Sequence, residues 1–166
     1  AERHARHVHL QYPQRRLRRL RRTPAMRAMV AETIVTVNDL VAPLFVKEGI
    51  SGPEPVGSMP GVAQHNLESL RKESRELMNL GVPAIILFGV PAVKDERGSA
   101  ADDPDGILQI ALTELRNEVG DEMVLIADTC LDEYTSHGHC GILDDHENVD
   151  NDATLERYAS AAVAQA

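Results

Sequence analysis

Three apolar-rich runs punctuate the chain: LVAPLFV at 40–46, PAIILFGV at 83–90 and MVLIADTC at 123–130. Runs without polar alternation predict strands covered on both faces. Between them the pattern changes period. NLESLRKESRELMNLG (66–81) carries apolar residues at 67, 70, 77 and 80, and ILQIALTELRNEVG (107–120) repeats the scheme. Both predict amphipathic helices closed by a glycine, Gly81 and Gly120. A third helix is predicted for ATLERYASAAVAQA, N-capped by Asp152. Near the start, Thr23 followed by Pro24 is an N-cap with a first-turn proline, so a short helix is predicted through AMRAMVAET. Asn38-Asp39 reads as a turn, and 47–61, 91–106 and 131–150 read as loops.

Strand and helix therefore alternate three times, which implies a parallel sheet wrapped by helices. A doubly wound sheet and part of a (β/α)8 barrel both fit. The long polar loops follow the strands and the short ones follow the helices. In either architecture the working residues stand at the C-terminal ends of strands. Three units fall short of the eight a barrel needs, and the last helix reaches Ala166 without a stop signal, so the chain reads as the first part of something longer.

Composition narrows the function classes. The 166 residues suit one ordinary domain, and 43% hydrophobic content supports a core, but aromatics are only 3%, which leaves no platform for stacked bases. No apolar run is long enough to span a bilayer, and no apolar stretch follows the basic start, so neither a membrane span nor a secretory signal is read. Two cysteines make no disulfide framework, and a reducing cytoplasmic setting is expected. The net charge of -9 hides an asymmetry: residues 1–30 hold nine arginines and one glutamate, and the remainder is strongly acidic. We divide the chain into a basic arm, 1–24, and a body, 25–166. Such an arm suits nucleic acid, anionic lipid or an acidic protein surface, including that of a sister subunit. Without aromatic or glycine interleaving, nucleic acid ranks last.

The chemistry concentrates in DTCLDEYTSHGHCG, 128–141, which holds both cysteines, two histidines and three carboxylates. Cys130, Asp132 and Cys140 offer two thiolates and a carboxylate, a set that could bind zinc and leave one position open, as a catalytic site requires. His137 and His139 are spare nitrogen ligands or proton carriers. The plainer alternative is one core cysteine, one surface thiol and solvated histidines. Asp128, at the end of the third run, is either a general base or a loop cap. Lys94, Arg97 and Ser99 form a possible anion-binding group on the loop 91–106, or a solvated charged loop.

Several stretches together resemble the delta-aminolevulinic acid dehydratase (porphobilinogen synthase) family: LVAPLFVKEG, SMPGV, LFGVP, KDERGSAADDPDG, DTCLDEYTSHGHCGIL and VDNDATLERYA. They occur in the family's order over about 15–166, and YTSHGHCG and VDNDATLE are the most specific. The resemblance implies a (β/α)8 barrel behind an arm that wraps a neighbouring subunit of an octamer. The implied reaction condenses two 5-aminolevulinate molecules to porphobilinogen, with loss of water, for haem and other tetrapyrroles. Cys130 and Cys140 match two of three zinc-binding cysteines of the family. Asp132 stands where the middle one is expected, and some members with carboxylates here rely on magnesium. Two thiolates of three lean the reading to zinc. Asp128 and Phe88 match positions lining the family's substrate cavity. The two Schiff-base lysines of the family have no counterpart among Lys47, Lys72 and Lys94, so this chain alone is expected to be inactive. The alternative is a non-catalytic half-barrel that binds or assembles.

Overall fold

The computed structural model describes residues 18–166, and the chain divides into two compact units at Val35/Thr36. Most of the arginine-rich arm lies outside the described residues. In the first unit a 3₁₀ turn, Arg19–Arg21, precedes the helix α1, Pro24–Met29. Thr23 caps it as expected, its hydroxyl accepting from Met26 N at 3.1 Å. The helix is shorter than predicted. It has no buried residue, and tertiary packing of an apolar face is what extends most short helices. Met29 and Ile34 are more than 80% exposed.

The second unit is built on a five-stranded sheet. Its strands are β1 (Val41–Lys47), β2 (Glu54–Pro55), β3 (Ala63–His65), β4 (Ala84–Val90) and β5 (Val124–Ala127). The order across the sheet is β2-β3-β1-β4-β5. Strands β3, β1, β4 and β5 run parallel, and only β2 is antiparallel, to β3. Helices α2 (Leu67–Asn79), α3 (Ile107–Val119) and α4 (Asn151–Gln165) complete the expected alternation. The principal core joins Leu44 and Val46 of β1, Ile85 and Leu87 of β4, and Leu108 and Leu115 of α3. Asn66 starts α2 by accepting from Ser69 N, and Gly81 ends it with a φ of 80°. That left-handed conformation costs glycine little and other residues much. Arg75–Glu118 at 2.6 Å and the Arg71–Glu114 pair tie α2 to α3.

Three expectations need correction. The segment 47–61, read as loop, contains β2, and β3 follows it. Both are too short and too polar for an apolar run to announce them, and their pairing is a backbone matter. The third apolar run forms a ladder only over Val124–Ala127, and it is not buried on both faces: Val124 is 59% exposed and Ile126 36%. Strand β5 closes the order of the sheet, so no further strand covers its outer side among the described residues. The N-cap of α4 is Asp150, whose carboxylate accepts from Asp152 N (3.0 Å) and Ala153 N (3.1 Å). Asp152 is already inside the first turn, where its charge complements the helix dipole.

Candidate metal centre

Backbone pairing carries one residue past the end of β5. Asp128 N donates to Leu87 O at 3.0 Å, so Asp128 leaves the sheet at the C-terminal edge of two parallel strands. Its carboxylate accepts from Cys130 N at 3.3 Å, the loop-capping geometry weighed above. The chain then turns tightly, with Tyr134 N and Thr135 N both donating to Leu131 O at 2.9 Å. Leu131 and Tyr134 anchor this turn in a second small core with Ala101 and Ala161. Gly138, at φ 73°, reverses the chain, and Thr135 donates its hydroxyl to His139 O at 2.8 Å.

The return brings the two ends of the loop together. Cys130 Sγ, Cys140 Sγ and a carboxylate oxygen of Asp132 lie within 4.8 Å of one another. Cys140 is exposed and Cys130 half-buried, so the group opens to solvent on one side. Asp128, Cys130 and Glu133 form a second, overlapping trio. The electrostatics are those of crowded acids. Burial first, and the Asp132 carboxylate second, push the Cys130 thiol up to about 12. Asp132 is held below the usual carboxylate range, chiefly by the hydrogen bond from Cys130. The proton therefore belongs to sulfur, which donates to the carboxylate. Burial, then Asp132, raises Glu133 to about 7. A divalent cation would relieve this by replacing the proton with a larger charge. Two sulfurs, a carboxylate and an open side fit such an ion.

The structure does not bring the histidines into the group. His137 Nε2 lies 3.2 Å from Glu96 O, and its Nδ1 accepts from His139 N at 3.1 Å, so the backbone engages both nitrogens. The loop 91–106 that carries Lys94, Arg97 and Ser99 is organised around Asp95. Ser99 N donates to Asp95 (2.9 Å), Arg97 N does the same (3.0 Å), and Lys94 Nζ points to Asp132 O at 3.5 Å. Asp95 is a hub: its backbone pairs with Tyr134 O and Ser136 N, fastening the loop 91–106 to the loop 128–141. Its carboxyl lies below the ordinary range, mainly through Ser99 N. Phe88 stands on β4 opposite Phe45 of β1, half-buried, with ring centroids 5.2 Å apart. Ser136 contributes its backbone N–H to that fastening. A cavity of about 780 Å³ lies between α3, β5 and the end of α4, and none of the donors lines it.

Sequence reasoning missed the residues that hold this arrangement. Arg157 grips Asp102 with two bonds, 2.6 and 2.8 Å, and also donates to Gly98 O and Arg97 O. Tyr158 donates to Cys140 O at 2.6 Å, and Gln165 to Asp128 O at 2.8 Å. Burial first, and the neighbouring Cys130 second, push Tyr158 up to about 12, so its hydroxyl stays a donor. Their spacing along one helix was the available signal, but α4 mixes small, charged and apolar residues too evenly for it to stand out.

Parallel strands wrapped by helices, with an acid-and-thiol cluster at their C-terminal ends, are the arrangement of an α/β fold of barrel type with a candidate cation site. The comparison with known proteins makes the assignment particular. The family model for delta-aminolevulinic acid dehydratase matches residues 14–166, and the chain belongs to that family. The Streptomyces coelicolor delta-aminolevulinic acid dehydratase is 55% identical over 157 residues, covering 93% of this chain and 48% of its own length. The Mycobacterium tuberculosis H37Rv enzyme of that name is 54% identical with the same coverage. The chain thus spans about half the length of the curated relatives it matches. A crystal structure of the Toxoplasma gondii dehydratase, in complex with its product porphobilinogen, superposes with a TM-score of 0.81 at 33% identity. It covers 92% of this chain and 44% of that one. The sheet and its helices are the N-terminal part of a (β/α)8 barrel.

Proposed function

We propose that this chain supplies the metal-binding side of a porphobilinogen synthase, which condenses two 5-aminolevulinate molecules to porphobilinogen in tetrapyrrole biosynthesis. The observation that carries the reading is the convergence of Cys130, Asp132 and Cys140 at the strand ends of a barrel in this family. These three would hold the ion, and the two sulfurs favour zinc over magnesium. When bound, such an ion supplies Lewis acidity toward a carbonyl or a departing oxygen. Asp128 stands at the edge of the same cluster, where its carboxylate can take or orient a substrate proton. Phe88, backed by Phe45, would give the substrate cavity of the whole barrel an apolar wall that limits water.

The three lysines support a division of labour. Lys47 is paired with Glu54 at 2.7 Å, Lys72 is 74% exposed beside Glu76, and Lys94 reaches only toward a backbone carbonyl. None stands free in an apolar setting, as a Schiff-base amine requires. The amine chemistry is therefore assigned to residues outside these 166, and the chain alone to an inactive state. The basic arm is assigned to contact with an acidic sister subunit, in a cytoplasmic homo-oligomer without nucleic-acid or membrane partners. Among the described residues, no helix is long and apolar enough to cross a membrane.

Metal analysis tests the core of this reading. Bound zinc should fall sharply in Cys130→Ala and in Cys140→Ala. Zinc content equal to the parent's in both would remove the assignment. Porphobilinogen formation at a normal rate by the 166 residues alone would refute the division of labour. No turnover together with a stable, partner-binding product that lacks metal would favour the half-barrel module instead.

A further inference from the structure

The loop that carries the metal ligands is gripped at both ends by one face of α4. Thr154, Tyr158, Ala161 and Gln165 follow one another at helical spacing, so they share a side of the helix. Thr154 Oγ1 accepts from Ile142 N at 2.9 Å, just beyond Cys140. Ala161, 1% exposed, packs in the small core with Leu131 and Tyr134. Gln165 Nε2 donates to Asp128 O at 2.8 Å, and Thr129 donates its hydroxyl to Gln165 Oε1 at 3.1 Å. Tyr158 OH donates to the carbonyl of Cys140 itself at 2.6 Å.

Cys140 needs such a restraint. It is exposed and lies between Gly138, in a left-handed conformation, and Gly141. Among the described residues, Tyr158 is the hydrogen-bond partner of its backbone. Cys130, by contrast, is half-buried and fastened through Asp128. A Cβ at Gly141 would come within 2.7 Å of Thr154 Oγ1, so the loop already lies as close to α4 as its backbone permits.

We propose that Tyr158 is a positioning residue of the metal loop, whose hydroxyl holds the Cys140 carbonyl and thereby keeps the Cys140 sulfur in reach of Cys130 and Asp132. The inference rests on the metal reading above and adds to it a residue that touches neither ion nor substrate. The ring packs against the small core, while the hydroxyl reaches outward, so Tyr158→Phe removes the restraint and leaves the packing.

Cobalt(II) is the probe, because its thiolate charge-transfer absorption reports how many sulfurs are bound. With the purified protein, Tyr158→Phe should bind Co²⁺ roughly three- to tenfold more weakly, the worth of one hydrogen bond. Its absorption should move from the two-thiolate intensity of the parent toward that of Cys140→Ala. Parental affinity and intensity in Tyr158→Phe would overturn the proposal. Should the substitution also lower the thermal midpoint, the double variant decides. Adding Tyr158→Phe to Cys140→Ala should cost no further Co²⁺ affinity, and an additive loss would overturn the proposal. A parent protein without thiolate absorption would overturn the metal reading, and the proposal with it. Parental thiolate absorption that Tyr158→Phe leaves unchanged overturns the proposal alone.

Discussion

Gly89→Ala probes how closely the metal loop is packed against the sheet. Gly89 is the sixth residue of β4, next to Phe88, and is buried. A Cβ there would lie 2.6 Å from Tyr134 OH and 2.9 Å from Leu108 Cβ, both shorter than ordinary contacts. The backbone torsion is ordinary, so the cost is overpacking rather than strain in φ. It has two components. The tip of Tyr134 can move only with the loop turn that Leu131 and Tyr134 anchor, and Leu108 can move only with the first turn of α3. Overpacking of this kind costs about 1–3 kcal/mol. Tyr134 OH is buried with no hydrogen-bond partner among the described residues. Tyr134→Phe therefore removes an unpaired polar atom and should be neutral or stabilising by up to about 1 kcal/mol. The cycle of the two substitutions, followed by urea denaturation, is the informative assay. In the Tyr134→Phe background the cost of Gly89→Ala should shrink, because its nearest obstacle is gone. It should not vanish, because Leu108 remains. Two results would refute the reasoning: Gly89→Ala within about 0.5 kcal/mol of the parent, or costs equal in the two backgrounds within the same error.

The other predictions follow from single contacts. Asp150→Ala should lower stability by about 0.5–2 kcal/mol through loss of the α4 cap, whereas Asp152→Ala should stay within a few tenths. Denaturant midpoints compare the two, and equal losses would return the cap to Asp152. Leu131→Ala, at a fully buried side chain, should cost about 2–5 kcal/mol. A loss under about 1 kcal/mol would show that the loop turn is not anchored there. Asp102 is held below the usual carboxylate range, first by the Arg157 hydrogen bonds. A depressed folded-state pKa contributes stability that is complete above the unfolded value, about 3.9, and is lost as pH falls through the folded value. Thermal midpoints measured downward from neutral pH should therefore separate parent from Asp102→Asn at neutral pH and converge in acid. A constant separation at all pH values would count against this linkage.

The candidate donors were legible in the sequence and the residues that support them were not, for a physical reason. Cys130, Asp132 and Cys140 are chemically marked residues within eleven positions, so local spacing and residue type suffice to nominate them. Arg157 and Asp102 meet across fifty-five residues, and Tyr158 reaches Cys140 across eighteen. Each of those side chains is common on solvated helices, and only the packing of α4 on the loops gives it a task. The same contrast runs through the fold. The core strands β1 and β4 announce themselves as continuous apolar runs, although Val41 and Pro43 leave one face of β1 partly exposed, against the expectation of cover on both faces. Strands β2 and β3 are held by backbone hydrogen bonds, which leave no mark on side-chain choice. His137 shows the opposite error, since a marked residue was nominated on chemistry while its nitrogens serve the backbone. Residue type thus reports what a position can do, and the hydrogen bonds around it decide what it does. The loop shows both, because two cysteines ten positions apart bring their sulfurs within 4.8 Å of each other where the chain turns back, and a separate helix fastens that turn.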